Sequence, residues 1–151
     1  MCSLRSVLVR FTRQSVRQAV NISKRRFSKM SETLNKVEEI DIDSDGVFKY
    51  ILIEVKEKGK NDNVKKIVRG YARCHWHADI FDETEAVLKK ISPNLKANCV
   101  GGGRIQHDAA DKKLKVYGYS QGFGKADHEV SVSILKKKYS DYDITWSDEG
   151  Y

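Results

Sequence analysis

Three stretches of this 151-residue chain carry side chains that could do chemistry. His75 and His77 stand two residues apart in Cys74-His75-Trp76-His77-Ala78-Asp79, with Arg69 and Arg73 just before them. Arg104 follows three consecutive glycines, Gly101-Gly102-Gly103, and a glycine-rich stretch runs Ser120-Gln121-Gly122-Phe123-Gly124. Histidine titrates near neutrality and is the usual proton acceptor at physiological pH. Cationic side chains and loop N–H groups are what transfer of a phosphoryl group asks of a protein. Gly122 and Gly124 allow positive φ and close approach of the backbone to a ligand, and a helix N-terminus behind such a loop suits a phosphate. Two plainer readings compete. The glycines could only relieve strain in a strand-to-helix turn, and His77 could be a hydrogen-bonded structural histidine.

Other chemistries fit less well. Two histidines two apart can share a metal ion, but zinc needs a third and usually a fourth ligand, and Cys74 would point to the opposite face of an extended strand. No metal site is therefore expected. A cysteine nucleophile that opens a glycine-rich loop ending in arginine is absent for Cys74, and the spacing from Cys99 to Arg104 does not match such a loop.

The elements that must position these residues follow from pattern. Val47 to Val55 is β-branched, aromatic and apolar on both faces, and reads as a central strand with Lys49 as its odd residue. A solvated strand end explains Lys49 equally well. Asp41 to Gly46 reads as an acidic turn before that strand, and Lys58 to Asn63 as a turn after it. Ile67 to Cys74 is expected as the next strand, with Arg69, Tyr71 and Arg73 on one face and the two histidines continuing it. A helix should start at Asp79, with Ile80, Phe81, Val87, Leu88 and Ile91 as its apolar stripe, and stop before Pro93. Arg104 to His107 and Leu114 to Tyr119 read as a hairpin, and the triple glycine before it either packs backbones closely or shapes a loop around Arg104. Asp127 can cap a helix carrying Val130, Ile134, Leu135 and Tyr139, and Tyr142 to Trp146 alternates like a last strand.

Composition narrows the class. The net charge of +7 suggests a nucleic-acid or membrane partner, but residues 1–30 hold eight basic residues and no acid. Without them the body has 20 basic against 21 acidic residues, so no nucleic acid and no membrane partner is expected. No apolar run approaches the roughly 20 residues of a membrane span. Three cysteines without paired spacing point to a reducing compartment. Residues 1–30 form a basic leader with Leu4, Val7, Leu8 and Phe11 at helical spacing, and Arg25-Arg26-Phe27-Ser28 resembles a processing site. The leader is either a mitochondrial transit peptide or a region ahead of an internal start at Met30. The expected location is cytoplasmic for the form starting at Met30 and mitochondrial for an imported full-length form. The remaining domain is expected to span residues 31–151.

In order along the chain, Val47-Phe48-Lys49-Tyr50, Val68-Arg69-Gly70-Tyr71, His77-Ala78-Asp79-Ile80, Gly101-Gly102-Gly103-Arg104-Ile105 and Val116-Tyr117-Gly118-Tyr119-Ser120 resemble the motifs of the phosphohistidine phosphatase family. Trp76-His77-Ala78-Asp79-Ile80-Phe81 and Ser120 to His128 resemble its insect branch, the sex-regulated janus proteins, over roughly Asp41 to Tyr151. The resemblance implies a single α+β domain, a mixed β-sheet of about six strands with two packed helices. It implies metal-independent removal of phosphate from histidine-phosphorylated protein substrates, without a cofactor, and a role in sexual differentiation. A monomer is the expected state. The family's active histidine carries over to His77, and its phosphate-side cations to Lys49, Arg69 and Arg104. Its phosphate-binding loop carries over to Ser120, Gln121 and Gly122, where Gln121-Gly122 departs from the Met-Ala of mammalian members. A non-catalytic phosphate-recognition adaptor is the alternative, although recognition alone would need no base at His77.

Overall fold

The computed structural model describes residues 30–150; the leader before Met30, with its helical spacing and processing-like site, lies outside the described residues. The long apolar run forms β2 (Gly46–Glu57), and its alternation buries both faces: Phe48, Tyr50 and Leu52 on one, Ile51, Ile53 and Val55 on the other. A strand buried on both sides must be central, and β2 pairs antiparallel with β3 (Val64–Gly70) and with β4 (Leu95–Asp108). β5 (Lys113–Tyr117) pairs antiparallel with β4, while β1 (Ile40–Ile42) and β6 (Asp143–Trp146) close the two edges by parallel pairing. The sheet is therefore mixed and six-stranded, ordered β1-β3-β2-β4-β5-β6.

Three helices pack on it, one more than expected. The short α1 (Glu32–Asn35) is capped by Ser31, whose hydroxyl accepts from the N–H of Leu34 at 3.2 Å. The buried ammonium of Lys65 ties down its far end by donating to the carbonyls of Leu34 and Val37. The face bearing Phe48, Tyr50, Leu52, Ile105 and Val116 packs with Val132, Ile134 and Leu135 of α3 (His128–Lys138) into one core. The opposite face meets α2 (His77–Ile91), whose Ile80, Thr84 and Leu88 are buried. The whole is one domain of the α+β class, with a helix on each face of the sheet.

Two strand boundaries differ from expectation. The segment around Asp41 holds a strand, because Ile40 and Ile42 are buried on either side of an exposed Asp41 and pair in register with Val68 and Gly70. The expected strand Ile67 to Cys74 instead stops at Gly70, and Tyr71 to Trp76 turns toward α2.

Of the two readings of the triple glycine, close packing and not a loop is the one found, since all three residues sit inside β4. A Cβ at Gly102 would stand 2.8 Å from Cδ2 of His77 and from the Tyr50 carbonyl oxygen; one at Gly103 would stand 2.4 Å from the Tyr117 carbonyl oxygen and 2.9 Å from Cε1 of His128. At Gly102 and Gly103 a histidine ring and a backbone carbonyl leave no room for a side chain, and at Gly101 the backbone of Ala126 takes the space. Just before them the β2–β4 register slips, so that Leu52 faces Gly101 and Ile53 faces Cys99 with Val100 as the extra residue. Bulges of this kind gather beside sites where a strand must be re-aimed.

Candidate active site

His77 is the first residue of α2, not the last of a strand. Trp76 occupies the N-cap position, and its indole, a donor only, caps nothing. Asp79 serves the turn from inside, its carboxylate accepting from the Trp76 N–H at 2.9 Å. The first N–H groups of α2 are thus left without a side-chain acceptor, and a helix start in that condition favours an anion.

The ring of His77 is 7% exposed and lies against Gly102. One ring nitrogen, Nε2, donates to the Gly103 carbonyl at 2.9 Å. A carbonyl can only accept, so the bond fixes the tautomer and leaves Nδ1 with its lone pair. Burial pushes the pKa of His77 below the ordinary 6.5, the Gly103 bond pulls it up, and the charges of Lys49 and Arg104 push it down again. Burial is the largest of these causes, and Arg69 has no part in the shift.

Lys49 and Arg104 face each other in register across β2 and β4, on the same side of the sheet as Gly102. Like charges directly opposite each other cost stability in a sheet. Placing two cations there makes sense beside a site that takes an anion. A cavity of about 520 Å³ opens at this point, lined by Lys49, Trp76, His77, Ala78 and residues Ser120 to Phe123.

The loop reaches the site by borrowing the edge of β4. Where β5 has ended, the Gly102 N–H donates to the Gly124 carbonyl at 3.0 Å, and the Ala126 N–H donates to the Gly102 carbonyl at 3.0 Å. Ser120 and Gly124 exchange backbone bonds of 3.1 and 2.8 Å, and Gly124 closes the turn at φ +81°. The hydroxyl of Ser120 accepts from the Phe123 N–H at 3.2 Å. Ser120 therefore spends both its N–H and its hydroxyl on holding the loop. Gln121 and Gly122 are exposed and line the cavity, and among the described residues nothing accepts from their N–H groups.

Of the expected site residues, Lys49, His77, Ser120, Gln121 and Gly122 line this cavity together, and Arg104 acts on His77 by its charge. Arg69 does not join them. It shares the α2 face of the sheet, yet its guanidinium donates to the carbonyls of Val68 at 2.9 Å and Glu38 at 2.6 Å. There it lines a separate cavity with Thr84, Val87, Leu88 and Ile91, under the C-terminal half of α2. Because β3 ends at Gly70, the alternating face that should have joined Arg69 to His77 is broken between them.

The helix behind the loop also differs from expectation. Asp127 caps α3 as expected, its carboxylate accepting from the Val130 N–H at 3.1 Å, and that cap occupies the very N-terminus read as the phosphate site. The open helix start at the loop belongs to α2. His75 and His77 do not converge, the first being exposed and the second buried, and among the described residues no set of three metal-ligating side chains is grouped. Burial and the Glu83 carboxylate push the Cys74 thiol up to about 11, which makes it a poor nucleophile. Sequence reasoning missed the Gly103 carbonyl as the anchor of His77, and the aromatic walls Trp76 and Phe123. The unexplained cost of three glycines was the signal for the first; nothing in spacing signalled the second.

The Janus/Ocnus family matches residues 34–143. The sex-regulated protein janus-A of Drosophila yakuba is 55% identical over 128 residues, covering 84% of this chain and 92% of that protein. Janus-A of Drosophila melanogaster is 53% identical over the same shares. The 14 kDa phosphohistidine phosphatase of Sus scrofa is 45% identical over 122 residues, covering 78% of this chain and 95% of that protein. Matched along most of its length and joined to its relatives by half their residues, the chain belongs to the Janus/Ocnus family.

Proposed function

We propose that the chain is a protein phosphohistidine phosphatase that uses His77 as a general base. The observation carrying this reading is the fixed tautomer: Nε2 is committed to Gly103, so Nδ1 keeps its lone pair, on a residue that lines a cavity with Lys49 and the loop. Water attacks phosphorus, a P–O bond forms, and the proton of the water passes to Nδ1 of His77. The P–N bond breaks with its electron pair returning to the substrate imidazole, which leaves neutral when its other ring nitrogen has taken a proton from solvent. Lys49, Arg104 and the N–H groups of Gln121 and Gly122 hold the phosphoryl oxygens as charge redistributes. The P–N bond is labile, so positioning water and steadying charge are sufficient and no metal enters the scheme. The 45% identity to a protein named phosphohistidine phosphatase supports the same reading.

The substrates would be histidine-phosphorylated proteins, met by a monomer with no nucleic-acid or membrane partner. Among the described residues no helix is long and apolar enough to cross a membrane. A role in sexual differentiation is part of the proposal, and its support is the words "sex-regulated" in the names of the janus-A relatives. The proposed location is cytoplasmic for a form starting at Met30 and mitochondrial for an imported one, which fractionation of cells making each form would distinguish. The test of the activity is phosphate release from a phosphohistidine peptide by the full chain and by His77→Ala, with a chelator present. Release by the wild type and its loss in the variant is expected. Binding without release by the wild type would turn the reading toward a recognition adaptor.

A further inference from the structure

The cavity is lined by groups of two kinds. Lys49 and the loop residues Ser120 to Gly122 suit an anion, and beside them on the same lining stand two aromatic side chains, Trp76 and Phe123. A space of about 520 Å³ is in the range that holds a small organic molecule, well beyond what a phosphoryl group fills. Trp76 is 69% exposed although its backbone is fixed at the helix start by Asp79. An indole left largely in water at the rim of a cavity contributes little to the core, so its value lies in what it contacts when the cavity is filled. Phe123 is held from behind, its ring 5.8 Å from that of Phe81 on α2 at an angle of 58°. Phe123 is therefore braced by α2, while Trp76 stands largely exposed.

We infer that Trp76 and Phe123 grip the imidazole ring of a phosphohistidine side chain, and so select phosphohistidine over phospholysine. This rests on the hydrolase reading and deepens it. A phosphohistidine is an anion attached to a flat ring, and the cavity offers an anion site beside flat walls. The phosphate on lysine ends a flexible aliphatic stem that offers no face to stack. The ring also carries positive charge when its second nitrogen is protonated, the form in which it leaves most readily, and an indole face attracts a cation. Trp76 would then favour the protonated substrate while His77, pushed the other way by burial and by Lys49 and Arg104, stays neutral to accept the proton of water.

The test compares two substrates that share the P–N bond but not the ring: a phosphohistidine peptide and phosphoramidate. In Trp76→Ala the ratio of kcat/KM for the peptide to that for phosphoramidate should fall about tenfold, and Trp76→Phe should restore most of it. An unchanged ratio would overturn the grip and leave Trp76 a general part of the wall. The chain has two tryptophans, so in Trp146→Phe the emission of Trp76 alone is read. Phosphohistidine peptide should change that emission at concentrations where a phospholysine peptide does not; an equal response to both would overturn the selection. If the wild type turned over neither P–N substrate the hydrolase reading would fall, and this titration would still decide whether the ring is gripped.

Discussion

His77 and His128 occupy mirrored places on the two sides of one glycine strand, and the contrast between them shows what makes a histidine available for chemistry. Both are buried, both have a ring nitrogen on a backbone carbonyl, and burial is the largest cause pushing both pKa values down. They differ in the second nitrogen. His128, 2% exposed, donates from Nε2 to the Gly118 carbonyl at 2.8 Å and accepts at Nδ1 from the Tyr50 hydroxyl at 2.6 Å. Its hydrogen-bonding capacity is used up, and it joins α3 to β2 and to the end of β5. His77 has one nitrogen committed, and it is a residue of the cavity lining. Depth and pKa direction are shared, so neither would separate a catalytic histidine from a structural one; the difference between the two lies in the second nitrogen.

Replacing each histidine in turn should break the symmetry in opposite ways, and this is the largest effect expected. His77→Ala should lose on the order of 10²–10⁴ in rate while keeping most of its affinity for phosphate. His128→Ala should instead cost about 2–4 kcal/mol of stability, because it opens a cavity and strands a buried tyrosine hydroxyl. Denaturant melts and steady-state kinetics on the same two proteins check both halves. The pH dependence sharpens the point. A histidine whose folded pKa is depressed contributes stability that is present above the unfolded value of 6.5 and lost as pH falls from there through the folded pKa. Both sites should therefore weaken the fold in acid. Only His77 should set the acid limb of kcat/KM, which is expected below pH 6.5 and should persist in whatever His128→Ala folds.

Adding one methyl group to the shared strand should divide the effects in the same way at smaller size. In Gly102→Ala the new Cβ meets the His77 ring and the Tyr50 carbonyl, so rate should fall about tenfold or more along with about 1–3 kcal/mol of stability. In Gly103→Ala the new Cβ meets the Tyr117 carbonyl and the His128 ring, so stability should carry most of the loss. Equal loss of rate at equal loss of stability in both would show that the two faces are not independent.

Much of this arrangement was legible in the chain because local chemistry and tertiary context agree. The apolar run of β2 can only be a central strand, and Asp127 caps α3 where its position predicts. Legibility failed where a distant contact decides. Glycine has no preference for a strand, and Gly102 and Gly103 are in one because rings from α2 and α3 need the room. The alternation that put Arg69 on the face of His77 holds only as far as Gly70, and no residue after it announces that pairing with β2 stops. The glycine-rich loop points to the start of α3 as the anion-seeking one, but a helix start with a good cap is already satisfied; Trp76, the poor cap, marks the open one.

The smallest effects expected concern the loop, where the same division between committed and uncommitted groups recurs at the scale of single N–H donors. Gly122→Pro removes one of the two N–H groups left to the cavity, and no neighbouring atom lies where a side chain would go, so the change acts mainly through the lost donor and a stiffer loop. It should raise the Michaelis constant about tenfold, the worth of one hydrogen bond to a charged group, with little change in stability. Ser120→Ala leaves that donor in place but removes the hydroxyl that accepts from Phe123, inside a residue only 2% exposed. It should cost about 1 kcal/mol of stability and raise the Michaelis constant a few-fold, through a loop held less firmly. Inorganic phosphate titrated against each variant distinguishes the two routes. A loss of phosphate affinity larger in Ser120→Ala than in Gly122→Pro would move the contact from the backbone to the serine hydroxyl, and Ser120 would then belong with the groups that touch substrate.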